Sequence, residues 1–147
     1  MVVKTTKILK AFLEEENLSD VELCARFEAW KKSSDEYSSY FFGKDGKYTV
    51  PTVSGNKYIL CHVHIVPMLD KNQLSLWDRA WKHRKRKTSD RVLVYVSDKK
   101  GNFLLIAILE EPNAHKIADM KTQQDKELMD FFAIVAEEFI FNGSIMV

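Results

Sequence analysis

Two histidines, His62 and His64, stand two residues apart in the segment Cys61-His62-Val63-His64-Ile65. Side chains alternate between the faces of an extended strand, so both imidazoles are expected on one face. Such a pair can exchange protons near neutral pH, bind a metal ion or contact a phosphate. The alternative is a pair of hydrogen-bonded structural histidines. A zinc site would need further ligands, and only His83 and His115 are candidates, so we expect neither a metal nor another cofactor.

A basic run, Lys82-His83-Arg84-Lys85-Arg86-Lys87, lies within the segment 79–91, where Asp90 is the only opposing charge. Arginine makes bidentate contacts to phosphate, and lysine acts as a movable point charge. Trp77 and Trp81 precede the run and offer rings for stacking on unpaired bases, although burial in the core is the favoured interpretation for both. The run predicts a surface for a polyanion, with a solvated charged loop as the alternative.

Single polar residues beside these features are weaker candidates. Ser89 and Asp90 precede a predicted strand, where they can cap a turn or orient a neighbouring group. Tyr95 is by default a half-buried strand residue, and His115 lies near the start of a predicted helix, a position typical of the surface. RNA can be cut without a metal when a base, an acid and cations surround the phosphate, and the composition permits this chemistry.

Composition places the chain among single-domain globular proteins. Its 147 residues are 46% hydrophobic and 29% charged, with few Gly and Pro for a linker, so we expect one domain over 1–147. The net charge is only +1, but the basic segment contrasts with an acidic one over 110–138, which favours a single anion-binding face. No apolar run is long enough for a membrane helix, and the first residues do not resemble a secretory signal. Cys24 and Cys61 are expected to be free thiols in a reducing cytoplasm, with a disulfide as the alternative.

Helices are predicted at both ends of the chain. Residues 2–12 suit a strand running into a helix, although periodicity does not decide the matter. The pattern Ser19-Asp20-Val21-Glu22 is typical of a capping box and predicts an amphipathic helix over about 19–32. Towards the C-terminus a short helix is predicted over 114–120, followed by a longer one that ends at Asn142-Gly143.

Between the helices, the sequence predicts an antiparallel sheet of three or four strands. The segment 41–46 has turn chemistry, and 68–89 combines helical spacing with a basic run that suits a loop. The strands are predicted at 48–53 (short, and broken by Pro51), 58–66, 92–96 and 103–109, the last two joined by a hairpin loop. The predicted class is α+β, with a helical N-terminal segment and a C-terminal helix packed on the sheet.

Taken together, these landmarks resemble the YafO family of type II toxins. The matching motifs are Phe42-Gly43-Lys44-Asp45 with Tyr48, Cys61-His62-Val63-His64-Ile65, Lys87-Thr88-Ser89-Asp90, Leu93-Val94-Tyr95, and Phe103-Leu104-Leu105-Ile106-Ala107-Ile108-Leu109 followed by Pro112 and Ala114-His115-Lys116. The family often has Arg at the position of Lys87, and the segment 68–85 is more basic and richer in Trp than expected of the family.

The resemblance implies a RelE-like fold and an endoribonuclease that cleaves translated mRNA at the ribosome. It also implies a cognate antitoxin that keeps the toxin inactive. The site residues that follow from it are proton-transfer groups His62 or His64, an orienting Asp90, a phosphate-binding Lys87 and a catalytic His115. RNA contacts are expected from Trp81, Arg84, Lys85, Arg86, Ser89 and Tyr95.

Two other functions suit the same sequence. RelE-like folds also include toxins that inhibit a DNA topoisomerase without cutting RNA, and an inactive relative would only bind its antitoxin or a nucleic acid. The same-face histidines and the basic run favour the nuclease over both.

Overall fold

The computed structural model describes all residues from 1 to 147, and it confirms the α+β class. In chain order the elements are β1 (Val2–Thr5), α1 (Lys7–Glu15), α2 (Asp20–Lys32), β2 (Phe42–Lys47), β3 (Cys61–Ile65), α3 (Lys71–Lys82), β4 (Val92–Ser97), β5 (Asn102–Leu109), α4 (Ala114–Ala118) and α5 (Gln123–Asn142). None of the helices combines the length and the apolar character that crossing a membrane requires.

The sheet has five strands in the order β1-β5-β4-β3-β2, so the prediction of three or four strands is wrong. It is also mixed, because β1 pairs in parallel with β5 while the other neighbours are antiparallel. The N-terminal segment is therefore not purely helical, since it begins with an edge strand.

The strand that the sequence concealed is β2, which was predicted as a turn. Its Gly43-Lys44-Asp45-Gly46 core has turn composition, yet pairing with β3 holds it extended around an irregularity between Phe42 and Asp45. Gly43 permits this path, because a Cβ there would lie 2.3 Å from the carbonyl oxygen of Lys87. The segment 48–53, predicted as a short strand, forms no regular strand.

One face of the sheet is covered by α1 and α2. Strand β3 contributes Cys61, Val63 and Ile65 to the core on this side, where they pack with Leu93 and Phe27. One of the two hydrogen bonds of the predicted capping box of α2 is confirmed, because the side chain of Ser19 accepts a hydrogen bond from the Glu22 amide.

The other face is covered over β4 and β5 by α5. Here Val94 and Ile106 pack against Met129 and Val135 in a second core. The predicted stop of α5 is confirmed, since Gly143 adopts the left-handed conformation at its end. By alternation, the intervening residues of β3 project on this same side of the sheet. These are the two histidines of the sequence pattern.

Candidate active-site cleft

A cleft of about 550 Å³ opens beside β3, between α3 and the start of α4. Its wall is mostly polar, with only two apolar residues among ten. The lining residues are Lys44, His64, Gln73, Leu76, Ala80, Arg86, Thr88, Ser89, Asp90 and His115. Four parts of the chain that are distant in sequence therefore meet at this one place.

Strand β3 positions its two histidines on one face, as the spacing predicted. The ring centroids of His62 and His64 lie 6.0 Å apart, and His64 lies 5.8 Å from His115 on α4. The three imidazoles thus form a row. His115 was predicted as a site residue only from the family resemblance, and it reaches the row through the packing of α4 against the sheet.

His64 is buried and held by the backbone of Ser89. Its Nδ1 lies 2.6 Å from the Ser89 carbonyl oxygen and 3.0 Å from the Ser89 amide nitrogen. The carbonyl oxygen can only accept and the amide can only donate, so the two contacts require opposite tautomers of His64. We assign the proton to Nδ1 from the shorter contact, which leaves Nε2 as the free base. Burial lowers the pKa of His64 below its usual value, partly offset by the backbone bond to Ser89. A neutral imidazole at physiological pH follows.

His62 is half-buried, whereas His64 is buried, and its contacts are different. Its ring stacks on Tyr48 at a centroid distance of 4.2 Å, and its Nδ1 is buried without a hydrogen-bond partner. Burial, reinforced by the neighbouring His64, lowers the pKa of His62 to about 4. The ring also lies against Gly46, where a Cβ would approach it to 3.0 Å. His62 is therefore neutral and packed rather than poised at the cleft surface.

Asp90 and His115 form a hydrogen-bonded pair at the cleft mouth. One Asp90 carboxylate oxygen accepts from the His115 backbone amide at 2.8 Å and contacts the His115 Nδ1 at 2.7 Å. Asp90 itself is held from behind, since its amide donates to the side-chain oxygen of Gln73 at 2.9 Å. The His115 side chain is 69% exposed, so Nε2 is available to a ligand. A carboxylate behind an imidazole fixes the ring orientation and supports positive charge on it.

Two cations line the cleft, Lys44 from β2 and Arg86 from the basic run. Lys44 is close enough to both strand histidines that its charge contributes to lowering their pKa values. Arg86 lies 3.7 Å from the Glu36 carboxylate in an exposed ion pair, which leaves its guanidinium largely hydrated and mobile. Both can approach an anion bound between the histidines.

Lys87 is not brought to the cleft. It is buried, its ammonium donates to the Ser39 carbonyl oxygen at 2.8 Å, and it lies over the rings of Trp77 and Trp81. These contacts support a structural role for Lys87, since moving its ammonium would remove the donor of the Ser39 carbonyl oxygen and its contacts with both rings. Trp77 is fully buried as favoured, whereas Trp81 is 37% exposed.

Tyr95 lies on the opposite face of the sheet from the histidines, which contradicts its assignment to the same RNA surface. In the register of β3 and β4 it pairs with Cys61, so it projects towards α2. Its hydroxyl donates to Asp45 at 2.6 Å and accepts from Lys31 at 2.9 Å. Ser89, also an expected RNA contact, borders the cleft, but its hydroxyl is occupied by the Ile65 and Arg91 carbonyl oxygens.

The remaining members of the basic run lie on the surface. Arg84 contacts the Asp35 carboxylate at 2.6 Å, and Lys85 is exposed with no carboxylate partner. Arg91, at the end of the basic segment, is buried and bonded to Glu110. The segment is thus not one continuous anion-binding surface.

Five cleft residues were not predicted as site residues, namely Lys44, Gln73, Leu76, Ala80 and Thr88. Lys44 belonged to a motif of the family resemblance, but the surrounding turn composition directed attention away from it. Gln73 carried no signal at all, because a glutamine on a predicted helix is most often solvated. Cys24 and Cys61 are free thiols, as expected. No three His, Cys, Asp or Glu side chains converge in a way that could hold a metal ion.

Comparison with known proteins gives one match. The model of a family described as toxin YafO, type II toxin-antitoxin system, matches residues 28–141. This range runs from within α2 almost to the end of α5 and includes every residue that lines the cleft. No curated protein and no solved structure matches the chain.

Proposed function

The chain belongs to the YafO family of toxins from type II toxin–antitoxin systems, and from that premise we propose that it is a metal-independent endoribonuclease that cleaves mRNA at the ribosome. Membership of such a system implies an antitoxin partner. The proposal includes a RelE-like fold and action in the cytoplasm, where translated mRNA is found. It rests on one observation, the placement of His64 and of the Asp90–His115 pair at the same cleft.

The geometry supplies a base and an acid for cleavage through the 2′-hydroxyl of RNA. His64 Nε2 takes the proton of this hydroxyl, and the oxygen bonds to the adjacent phosphorus. The bond from phosphorus to the 5′-oxygen then breaks, and that oxygen takes a proton from His115 Nε2. The products are a 2′,3′-cyclic phosphate and a 5′-hydroxyl, and a second proton exchange with water restores both rings.

Two features match these groups to their tasks. His64 is neutral because burial lowers its pKa, so it can accept a proton near neutral pH. His115 has Asp90 at its Nδ1, which fixes the ring so that Nε2 faces the cleft as the proton donor of this proposal. His62 does not enter the reaction in this assignment. It packs behind His64 and keeps the row in place.

The cations complete the site. The phosphorane-like transition state gains negative charge on its non-bridging oxygens, and Lys44 and Arg86 lie on the cleft wall where they can approach them. Each such contact contributes on the order of 10-fold to 1,000-fold in rate when it is fixed before the reaction. The exposed Lys82 and Lys85 add long-range attraction for RNA rather than catalysis.

The experiment that tests this proposal is a map of RNA 5′ ends in cells after brief induction of the chain, compared with His64→Ala and His115→Ala. His83→Ala is the matched control, since His83 is exposed at the end of α3 and lies outside the cleft. We expect new 5′-hydroxyl ends confined to translated regions, lost in both cleft variants and retained in the control.

Other outcomes have definite meanings. Growth arrest without new 5′ ends would refute the nuclease and favour a non-catalytic poison, such as one that binds a DNA topoisomerase. New ends in untranslated as well as translated RNA would retain the nuclease but remove the dependence on the ribosome.

A further inference from the structure

One wall of the cleft is built by α3 and differs from the rest. Gln73, Leu76 and Ala80 follow one another at spacings of three and four residues, so they lie on one face of the helix. Leu76 and Ala80 are the only apolar residues of the cleft lining. The polar histidine wall and this apolar strip therefore border the same space.

The apolar strip is not part of the hydrophobic core. Trp77 anchors α3, since it is fully buried and its indole nitrogen donates to the Tyr40 carbonyl oxygen. Leu76, the residue before it, is 58% exposed. An exposed leucine within a polar, solvent-filled cleft gains nothing from burial in the free protein. It gains when a flat apolar surface, such as the face of a ring, covers it.

Gln73 has a fixed orientation next to this strip. Its side-chain oxygen accepts from the Asp90 amide at 2.9 Å. This bond identifies the oxygen and nitrogen of the amide group, and it leaves both Nε2 hydrogens free to donate. A ligand edge that meets the Gln73 nitrogen must therefore present an acceptor.

We propose that the α3 wall is a nucleobase subsite, in which Leu76 and Ala80 cover the face of a base next to the scissile phosphate and Gln73 donates to its edge. The inference rests on the proposed nuclease function and names how that site selects its substrate. Guanine carries a keto oxygen at the position where adenine has an amino group, and uracil likewise differs from cytosine. A donor at this point favours guanine and uracil over adenine and cytosine. Gln73 also accepts a hydrogen bond from Asp90, which in turn orients His115. The same side chain would therefore contact the base and support the orientation of His115.

The test separates binding from cleavage. A short RNA in which one 2′-hydroxyl is replaced by hydrogen at the cut position cannot react, and its affinity is measured by titration for the wild type, Leu76→Ala and Leu76→Phe. We expect about a 10-fold loss of affinity for Leu76→Ala, because a base that covers the leucine removes apolar surface from water. Leu76→Phe should recover the affinity at least in part, since its ring can stack on the base. Leu69→Ala is the matched control, because Leu69 is 72% exposed and lies outside the cleft lining.

The base preference is tested with Gln73→Glu. The carboxylate still accepts from the Asp90 amide, but it offers an acceptor where the amide offered a donor. In the map of RNA 5′ ends, we expect the preference at the cut to move from guanine and uracil towards adenine and cytosine. A purely structural role of Gln73 would lower all cuts equally without changing this ratio.

The outcomes distinguish the two proposals. A wild type that binds the unreactive RNA through Leu76 but produces no cuts would refute the nuclease and leave the subsite in place. Cuts by the wild type together with equal affinities for Leu76→Ala and Leu69→Ala, or an unchanged base ratio in Gln73→Glu, would overturn the subsite alone. A wild type that fails to bind the RNA would overturn the subsite as well.

Discussion

The basic segment divides into two halves that look alike in sequence and differ in the fold. In the outer half, 82–86, the side chains are exposed, and the arginines meet only exposed carboxylates. In the inner half, 87–91, Lys87, Ser89 and Arg91 are buried and each bonds to a carbonyl or carboxylate of the protein. The exposed cations of the outer half are accessible to a ligand, whereas the buried Lys87, Ser89 and Arg91 of the inner half are part of the scaffold.

The difference shows that a charge pattern reports neither accessibility nor role. A buried cation is retained only when its hydrogen bonds are satisfied within the protein, so its removal acts on stability. An exposed cation already has water as a partner, so its removal acts on attraction for a polyanion. Four measurements test whether this division holds, beginning with the largest effect.

Lys87→Ala should lower the free energy of unfolding by about 3–4 kcal/mol, because it removes a buried stem and leaves the Ser39 carbonyl without its donor. Urea denaturation measures this value. Lys85→Ala is the matched substitution from the outer half, and its effect should stay below about 0.5 kcal/mol. Equal changes in the free energy of unfolding for Lys87→Ala and Lys85→Ala would show that the two halves do not differ in their contribution to stability.

Asp90→Asn should reduce the rate of RNA cleavage by on the order of 100-fold with little change in stability. The amide oxygen can still accept from the His115 backbone, but a neutral amide is a weaker acceptor than the carboxylate that fixes the ring through Nδ1. Single-turnover cleavage of a defined mRNA bound to ribosomes measures the rate. Asp119→Asn, at an exposed position after α4, is the control and should leave the rate unchanged.

Acidification should destabilise the protein through the histidine row, which the inner half holds by the contact of Ser89 with His64. Unfolded His62 takes up a proton below about pH 6.5, whereas burial lowers the pKa of the folded residue to about 4. Between these values the unfolded state binds more protons, so the free energy of unfolding falls as the pH falls, by about 2 kcal/mol from pH 7 to 4.5.

Urea denaturation at several pH values measures this slope. His62→Gln should reduce it and leave the part due to His64, whose pKa is also lowered by burial, whereas His83→Gln, in the outer half, should retain it in full. A slope in His62→Gln equal to that of the wild type would mean that His62 does not contribute to the acid sensitivity.

The smallest effect is expected from the outer half itself. Lys82→Ala together with Lys85→Ala should weaken RNA binding a few-fold at low salt and reduce the salt dependence of binding by about one to two ions. Titration of RNA at several salt concentrations measures both. The unfolding midpoint in urea should not change, and a shift of this midpoint would assign these lysines to the scaffold.

Much of the secondary structure followed from the sequence. Strands β4 and β5 with their hairpin, the capped helix α2 and the glycine stop of α5 were all predicted, because their signals are local. Strand β2 was missed because its glycines favour a turn in isolation, and only pairing with β3 makes it extended. The edge strand β1 was left undecided for a related reason, since four residues carry little periodicity.

The sequence by itself determined that His62 and His64 share a face, because alternation is a property of any strand. It did not determine which of them meets a ligand, nor that His115 and Gln73 join them. Those facts depend on how α3 and α4 pack on the sheet, which brings together residues more than 40 positions apart. The position of Tyr95 was also not determined by the sequence. Tyr95 lies on the face opposite to the histidines because the register of β4 against β3 pairs it with Cys61. Local sequence patterns specify individual helices and strands. The burial and the hydrogen-bond partners of a side chain, which decide its chemical role, are set only when helices and strands that are distant in sequence pack together.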